Sequence, residues 1–283
     1  MILVDLNQVM IASMMAQLGR HQNAQVDENM LRHMVLNSLR ANRIKFKDEF
    51  GELIICCDDT NYWRKDVYPY YKASRKKDRD KSEMDWNSIF VALNKVRSEL
   101  KEFFPYKVIQ ISRTEADDII GAIVHKEGTV LNTGEKILIL SGDKDYIQLH
   151  KYANVQQYDP VKKRHVKHSN PDQYLEEHIL KGDKGDGVPN VLSSDDTFVM
   201  NKRQLPLTKK KIETFKDINS MSSEVSRNYF RNKKLIDLSE IRTDIHEKIM
   251  EEYAIESTND RSKLFNYFMK NRLKLLMESI NQF

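Results

Sequence analysis

The sequence predicts an α/β protein: a mostly parallel sheet with helices on both faces, followed by a helical region. Three observations carry this. Short apolar runs rich in β-branched residues alternate with longer segments whose apolar residues recur every three or four positions, the pattern of βαβ units. Glycine and proline are sparse, nine and six in 283 residues, which leaves few tight turns and favours helix. From about Lys181 the strand signals stop and helical periodicity takes over.

The elements follow in order. Ile2-Leu3-Val4 is a strand ending at Asp5, and Val9 to Leu18 has helical spacing. Glu28 to Leu39 places Met30, Leu31, Met34, Val35 and Leu39 on one face, an amphipathic helix. Leu53 to Cys57 is an unbroken apolar run, the signature of a buried strand, and it ends at Asp58-Asp59. Trp86 to Phe104 is helical, Tyr106 to Ile111 a strand, and Glu115 to Val124 a helix. Lys136 to Leu140 is a strand closed by Ser141-Gly142-Asp143. The glycine-rich stretch Gly182 to Pro189 reads as a helix end, a turn and a fresh start. Asn190 to Pro206 is polar and irregular, the best candidate for a mobile loop. These signals divide the chain into a core over 1–180 and a helical region over 181–283.

Composition excludes several classes. Hydrophobic residues are 40% and charged residues 31%, against about 45–50% and 25% in typical domains, so the surface is heavily charged. Adjacent Cys56 and Cys57 point to opposite faces of an extended strand and are poorly placed to pair; they read as two small buried hydrophobes in a reducing compartment. No apolar run approaches the roughly 18 residues of a membrane span. Asp5 interrupts the apolar start and no basic segment precedes it, which argues against a signal peptide and for an intracellular location.

The net charge is only +4, but its distribution is uneven: Arg64 to Lys81 holds eight Lys/Arg against three Asp. The runs Lys162-Lys163-Arg164 and Lys209-Lys210-Lys211 are more often solvated faces.

In parallel sheets ligands bind beyond the carboxyl ends of the strands. Asp5 and Asp58 end the first two strands, Glu115, Asp117 and Asp118 open the helix after the third, and Asp143 and Asp145 follow the fourth. Taken singly, each acid is more often a turn or helix-cap residue. Seven acids at one sheet edge would repel one another unless a cation joins them, and carboxylate oxygens suit Mg²⁺ or Mn²⁺. With the basic segment directly after Asp58, an acidic pocket overhung by cations points to a polyanionic substrate and metal-assisted phosphodiester hydrolysis.

These residues resemble the flap endonuclease/5′ nuclease family. The resemblance rests on Asp5, on Asp58 before Tyr62-Trp63-Arg64-Lys65, and on Tyr71-Lys72-Ala73-Ser74-Arg75. It continues through Glu115-Ala116-Asp117-Asp118, Ser141-Gly142-Asp143-Lys144-Asp145 and Gly182-Asp183-Lys184-Gly185-Asp186, in this order. It implies a PIN-like core followed by a helix–three-turn–helix DNA-binding module. By motif position Asp5, Asp58, Asp117 and Asp143 would form a first Mg²⁺ site, and Glu115, Asp145, Asp183 and Asp186 a second, with Asp118 a further acidic-motif residue. The segment at about 60–85 resembles the family's helical arch, in which Lys72 and Arg75 match the pair at the scissile phosphate.

The resemblance implies DNA and RNA–DNA hybrids as partners and primer removal from lagging-strand fragments in phage replication. Expected nucleic-acid contacts are Tyr62, Arg64, Lys65, Tyr71, Lys72, Arg75, Lys76, Lys77, Lys184, Lys209, Lys210 and Lys211. Tyr62, Trp63, Tyr70 and Tyr71 are aromatic residues among cations and could stack unpaired bases, although Trp63 also suits packing of the arch onto the core. A single-strand-binding protein or a sliding clamp is a further expected partner; a membrane is not, and a monomer is expected.

Two departures stand out. Gly187, Asn190 and Leu192-Ser193-Ser194-Asp195 replace the family's asparagine, glycine and glycine-rich hairpin, so diffuse electrostatics is expected to hold duplex. The chain also shows no clamp-docking peptide before Asp5. A binder that has lost catalysis would show gaps in the carboxylate set, and none is found. A nucleotide-hydrolysing enzyme would carry a Gly-x-x-x-x-Gly-Lys-[Ser/Thr] loop, which is missing.

Overall fold

The computed structural model describes residues 1–18, 28–82, 84–129, 134–215, 217–257 and 260–283. Glu83, inside the expected arch, lies outside the described residues. The first half runs β1 (Ile2–Asp5), α1 (Leu6–Leu18), α2 (Glu28–Phe50), β2 (Leu53–Cys57), α3 (Arg64–Val67), α4 (Ala73–Asp80), α5 (Trp86–Phe103), β3 (Lys107–Gln110) and α6 (Ala116–Glu127). It continues through β4 (Ile137–Leu140), a 3-10 turn over Asp145–Lys151, β5 (Val155–Asp159), β6 (Arg164–Val166) and α7 (Pro171–Lys181). The remaining helices are α8 (Lys209–Thr214), α9 (Ser223–Ile236), α10 (Thr243–Ala254), α11 (Leu264–Lys270) and α12 (Lys274–Met277). Among these residues no helix is long and apolar enough to cross a membrane.

The sheet has the order β3-β2-β1-β4-β5-β6, parallel except for β6. From β1 the chain builds outward through β2 and β3, then returns to place β4 on the other side of β1. That reversal is a topological switch point, where the connections leave β1 and β4 in opposite directions and open a crevice at their carboxyl ends.

Strict alternation explains the two-faced core. Ile2, Val4, Leu53, Ile55, Cys57, Leu138 and Leu140 pack on one side, against α1, α2 and α5. Leu3, Cys56, Ile137 and Ile139 pack on the other, against α6 and α10. The two cysteines are free and buried on opposite faces.

Several elements differ from expectation. The helix expected to end at Leu39 continues to Phe50, because Phe46 and Phe50 extend its buried face. It stops where Gly51 adopts φ +85° and donates its N–H to Lys47 O at 2.7 Å, a conformation that favours glycine. Strands β5 and β6 gave no sequence signal, since Val-Gln-Gln-Tyr-Asp and Arg-His-Val lack an apolar run; β5 is buried between β4 and β6 with Gln157 and Asp159 hydrogen-bonded, and β6 is the antiparallel edge, where polar side chains are tolerated. The helical region begins later than Lys181: residues 182–208 are irregular, and α8 opens only at Lys209.

Asn190 to Pro206, expected as a mobile loop, is instead cross-braced. Asn190 donates to Leu205 O (2.8 Å), Ser193 Oγ accepts from Leu205 N (2.9 Å), and Asp195 pairs with both Arg227 and Arg231. Packing also runs across residue 180. Leu264, Tyr267, Phe268, Leu276 and Phe283 belong to the same cluster as Ile2 and Val4, and Ile245 and Ile249 complete the opposite face.

Candidate active site

The crevice at the switch point is acidic because the strands that border it end in aspartates. Asp5 closes β1. Its Oδ1 accepts from Gln8 N at 3.1 Å, and its Oδ2 accepts from Ser141 Oγ (3.2 Å) and Tyr146 OH (3.1 Å), both supplied by the segment after β4. Asp58 follows β2 and is held by Asn7 Nδ2 and by Ala116 N, each at 2.7 Å. The second of these is a free N–H at the start of α6, whose dipole favours a carboxylate there. Asp143 N bonds Ser141 Oγ at 3.1 Å. Asp5, Asp58, Glu115, Asp117 and Asp143 line one cavity of about 500 Å³, with Lys72, Arg75 and Tyr62 on its wall.

The acids that open α6 divide between two environments. Successive helical residues point about 100° apart, so Asp117 faces the cavity while Asp118 turns inward. Asp118 is fully buried; it accepts from Trp63 Nε1 (3.0 Å) and Glu115 N (2.9 Å) and pairs with Arg64 Nη2 (2.9 Å). Asp118, expected among the metal residues, is thus tied to the protein's own groups, and one of its oxygens lies within 4.8 Å of a ligand atom of Glu115 and of Asp117.

Arg64, expected as a nucleic-acid contact, is buried beside Asp118. Its guanidinium is buried between Glu115 (2.9 Å), Asp117 (3.5 Å) and Asp118, and it donates to Leu235 O on α9 at 2.9 Å, so no face is left for a phosphate. Tyr71 is buried too, donating towards Glu115 (3.0 Å) and Asp186 (2.9 Å), and Trp63 is buried against α6. Of the four aromatic residues expected as a base platform, Tyr62 and Tyr70 reach the surface.

The basic segment folds down onto the Gly182–Gly187 loop. Lys72 N donates to Asp186 O at 2.7 Å, and Tyr68, Tyr71, Leu180 and Val188 share a third apolar cluster. Lys72 Nζ pairs with Glu115 and lies 3.6 Å from Asp186, while Arg75 pairs with Asp186. Tyr62 stands edge-on to Tyr71, with the ammonium groups of Lys65 and Lys72 each 5.2 Å from its ring centre. Lys65, Lys76 and Lys77 are exposed. Lys184 lines a second, cationic groove with Lys181, Lys202 and Arg203. Lys209, Lys210 and Lys211 are exposed on the first turn of α8, away from the acidic cavity.

Asp145 follows Asp143 along the chain, and Asp183 follows α7. His178 sits between them, Nδ1 3.6 Å from Asp145 Oδ1 and Nε2 3.2 Å from Asp183 Oδ2. Asp183 Oδ1 accepts from Asp186 N at 3.0 Å. Gly182 makes this turn at φ +66°, where a Cβ would lie 2.4 Å from Val188 O, so only glycine fits.

Electrostatics separates these acids by their surroundings. Burial, then the charges of Asp58 and Asp143, push the Asp5 carboxyl up to about 7. Burial also raises Asp58, and it raises Asp117 and Asp145 well above the usual carboxylate range. Glu115 is lowered instead, because Lys72 and Arg64 outweigh its burial. Among the described residues no Lys or Arg pairs with Asp5. Asp5, Asp58, Asp117 and Asp143, four carboxylates lining one cavity, fit a hard divalent cation. Two groups bring one ligand atom from each residue within 4.8 Å of the others: Glu115, Asp117 and Asp118 at the start of α6, and Asp145, His178 and Asp183.

Sequence reasoning missed Asn7, Ser141, Tyr146, Gln157 and His178. Gln157 on β5 donates to Ser141 O (2.9 Å) and Asp143 O (2.5 Å), fixing the turn that carries Asp143. Asn7 and Tyr146 lie within three residues of predicted ligands, a signal that could have found them; Gln157 and His178 come from elements whose placement no local pattern gives.

The chain resembles known proteins over most of its length. Residues 1–179 match the profile of the 5′–3′ exonuclease N-terminal, resolvase-like domain, and residues 170–283 that of the C-terminal part of T4 RNase H. Ribonuclease H of Enterobacteria phage T4 is 35% identical over 99% of this chain and 95% of its own length. A flap endonuclease of Shewanella denitrificans is 28% identical over 66% of this chain and 73% of its own. The zinc-bound structure of the T5 5′-exonuclease superposes with a TM-score of 0.61 at 15% identity, covering 89% of this chain and 97% of that one. A T5 flap endonuclease complexed with DNA and metal ions gives 0.60 at 17% identity, over 89% and 96%. At such identities these two structures speak for the fold, a resolvase-like PIN core with a helical C-terminal region.

Proposed function

This chain belongs to the family of 5′–3′ exonucleases and flap endonucleases, a family of nuclease hydrolases, and from that premise we propose that it is a Mg²⁺-dependent 5′-nuclease. Its substrates are RNA–DNA hybrids and 5′-flap or duplex DNA, and its role is primer removal from lagging-strand fragments in phage replication. The supporting observation is the cavity in which Asp5, Asp58, Asp117 and Asp143 converge beneath Lys72 and Arg75. The names of the T4 and Shewanella relatives support the hybrid and the flap as substrates.

Asp5, Asp58, Asp117 and Asp143 would hold a first divalent ion, Mg²⁺ or Mn²⁺. Glu115, Asp145, Asp183 and Asp186 would serve a second position. Divalent ions there would activate water and offset charge on the departing oxygen. The chain's own groups do the rest. Asn7, Ser141 and Tyr146 orient the carboxylates of Asp58 and Asp5. Lys72 and Arg75, paired with Glu115 and Asp186 in this structure, transfer to the scissile phosphate and offset the charge that builds on it. Tyr62 offers an accessible ring edge to an unstacked base. Lys65, Lys76, Lys77, Lys184 and Lys209–Lys211 bind backbone phosphate. The products carry 5′-phosphate and 3′-hydroxyl ends.

The test is the product ladder from one labelled 5′-flap and one labelled RNA–DNA hybrid, with Mg²⁺ and with EDTA, for the wild type and Asp143→Asn. Cleavage that needs Mg²⁺ and Asp143 is expected on both substrates. Full activity in EDTA, or wild-type turnover by the variant, would overturn the assignment.

A further inference from the structure

His178 lies on the last turn of α7, and each of its ring nitrogens faces a different carboxylate. Asp183 Oδ1 is already taken by Asp186 N, so Oδ2 is the atom turned to the ring. The ring is held from behind by Tyr174, edge-on with centroids 5.8 Å apart. One nitrogen of His178 and one oxygen from each of Asp145 and Asp183 lie within 4.8 Å of one another. Three separate elements supply them: the 3-10 turn after β4, the end of α7, and the loop beyond it.

A lysine or arginine here would only neutralise the acids. An imidazole also has a lone pair that can bind a cation. A ring that ligates through one nitrogen characteristically gives its other N–H to a carboxylate, which keeps the ring in place; the second close acid provides that partner. Imidazole nitrogen favours first-row transition ions, whereas carboxylate, carbonyl and water suit Mg²⁺. The position bounded by Asp5, Asp58, Asp117 and Asp143 offers only oxygen.

We infer that His178 is itself a metal ligand, making the Asp145–Asp183 position a mixed nitrogen–oxygen site that takes a first-row transition ion such as Mn²⁺, Co²⁺ or Zn²⁺ in preference to Mg²⁺. This rests on the reading of the carboxylate cavity as an ion-binding centre and adds that its two positions differ in chemistry. His178 then sets which ion occupies its position, while the all-oxygen position remains suited to Mg²⁺.

The experiment uses the metal-stripped full chain and reads binding, not activity. Half an equivalent of Mn²⁺ is added over excess Mg²⁺ and examined by pulsed EPR for nitrogen coupling to the bound ion. Co²⁺ and Mg²⁺ affinities are measured by calorimetry. The wild type is compared with His178→Gln, which keeps a polar side chain without an imidazole, and with His178→Ala, the fold of each checked by thermal melting. The expected result is nitrogen coupling in the wild type that both variants lose. Co²⁺ affinity should fall by about tenfold or more, as for loss of a metal-orienting group, while Mg²⁺ affinity changes little. Bound Mn²⁺ without nitrogen coupling, or equal losses for Co²⁺ and Mg²⁺, overturns the ligand role and leaves His178 orienting the two acids. No divalent binding by the wild type overturns the ion-centre reading itself.

Discussion

Arg64 Nη2 lies 2.9 Å from Asp118 Oδ1, and both side chains are buried. The same guanidinium reaches Glu115, Asp117 and the carbonyl of Leu235, tying the acidic start of α6 to α9. Removing one partner of a buried ion pair strands the other, at a cost of about 3–5 kcal/mol. Arg64→Ala is therefore expected to lower stability by that amount in urea unfolding. Arg64→Lys should recover only part of it, because an ammonium cannot span three acids and a carbonyl as the planar fork does. Unchanged stability with weaker DNA binding would make Arg64 a phosphate contact after all.

Tyr146→Phe removes the hydroxyl that donates to Asp5 Oδ2 at 3.1 Å and keeps the ring in the core. Groups that orient metal ligands typically contribute about 10–100-fold to affinity. Weaker Mg²⁺ or Mn²⁺ binding within that range is expected by calorimetry, with the thermal melt of the ion-free protein little changed. Equal affinities would show that the hydroxyl has no orienting role.

Metal stabilisation should depend on pH in a defined direction. The folded-state value of Asp5, about 7, lies above the ordinary carboxylate value near 4, so the folded chain holds this proton more tightly than the unfolded chain. The resulting stability is complete below about pH 4 and is lost as pH rises through about 7. Asp58, Asp117 and Asp145 are raised as well and act in the same direction. Between pH 5.5 and 8 the melting temperature of EDTA-treated protein should fall. The upward shift on adding Mg²⁺ should be larger at pH 8 than at pH 6, where protons compete with the ion. A shift independent of pH would contradict the placement of the ion at Asp5.

Lys72→Ala should lower the single-turnover rate by about 100-fold or more while changing substrate affinity far less. A contact made at the reacting phosphate counts mainly in the transition state, and in the free protein Lys72 is already occupied by Glu115. Equal losses in rate and affinity would reduce Lys72 to an ordinary phosphate clamp.

Replacing Lys209, Lys210 and Lys211 together by Ala should leave folding intact, since all three are exposed on the first turn of α8. The log–log salt dependence of duplex binding should become shallower by about 0.9 for each phosphate that the variant no longer neutralises. An unchanged slope would make the run a solvated face.

What the sequence determined by itself is what local periodicity encodes. Ile2 to Val4 and Leu53 to Cys57 read as buried strands because apolar residues on both faces leave no other place for them. Asp5 and Asp58 read as site residues because they stand where those runs end, and a parallel sheet gathers such ends on one edge. The tertiary structure decided between chemically identical neighbours. Asp117 and Asp118 are adjacent, and only the orientation of α6 turns one to the cavity and buries the other against Trp63 and Arg64. Arg64 and Arg75 carry the same charge in the same basic segment; α9 covers the first, and the Gly182 loop leaves the second at the cavity wall. Gln157 and His178 act on groups brought near by β5 and α7. No pattern along the chain could reveal them, because the burial and partners of a polar side chain depend on what the rest of the fold packs against it.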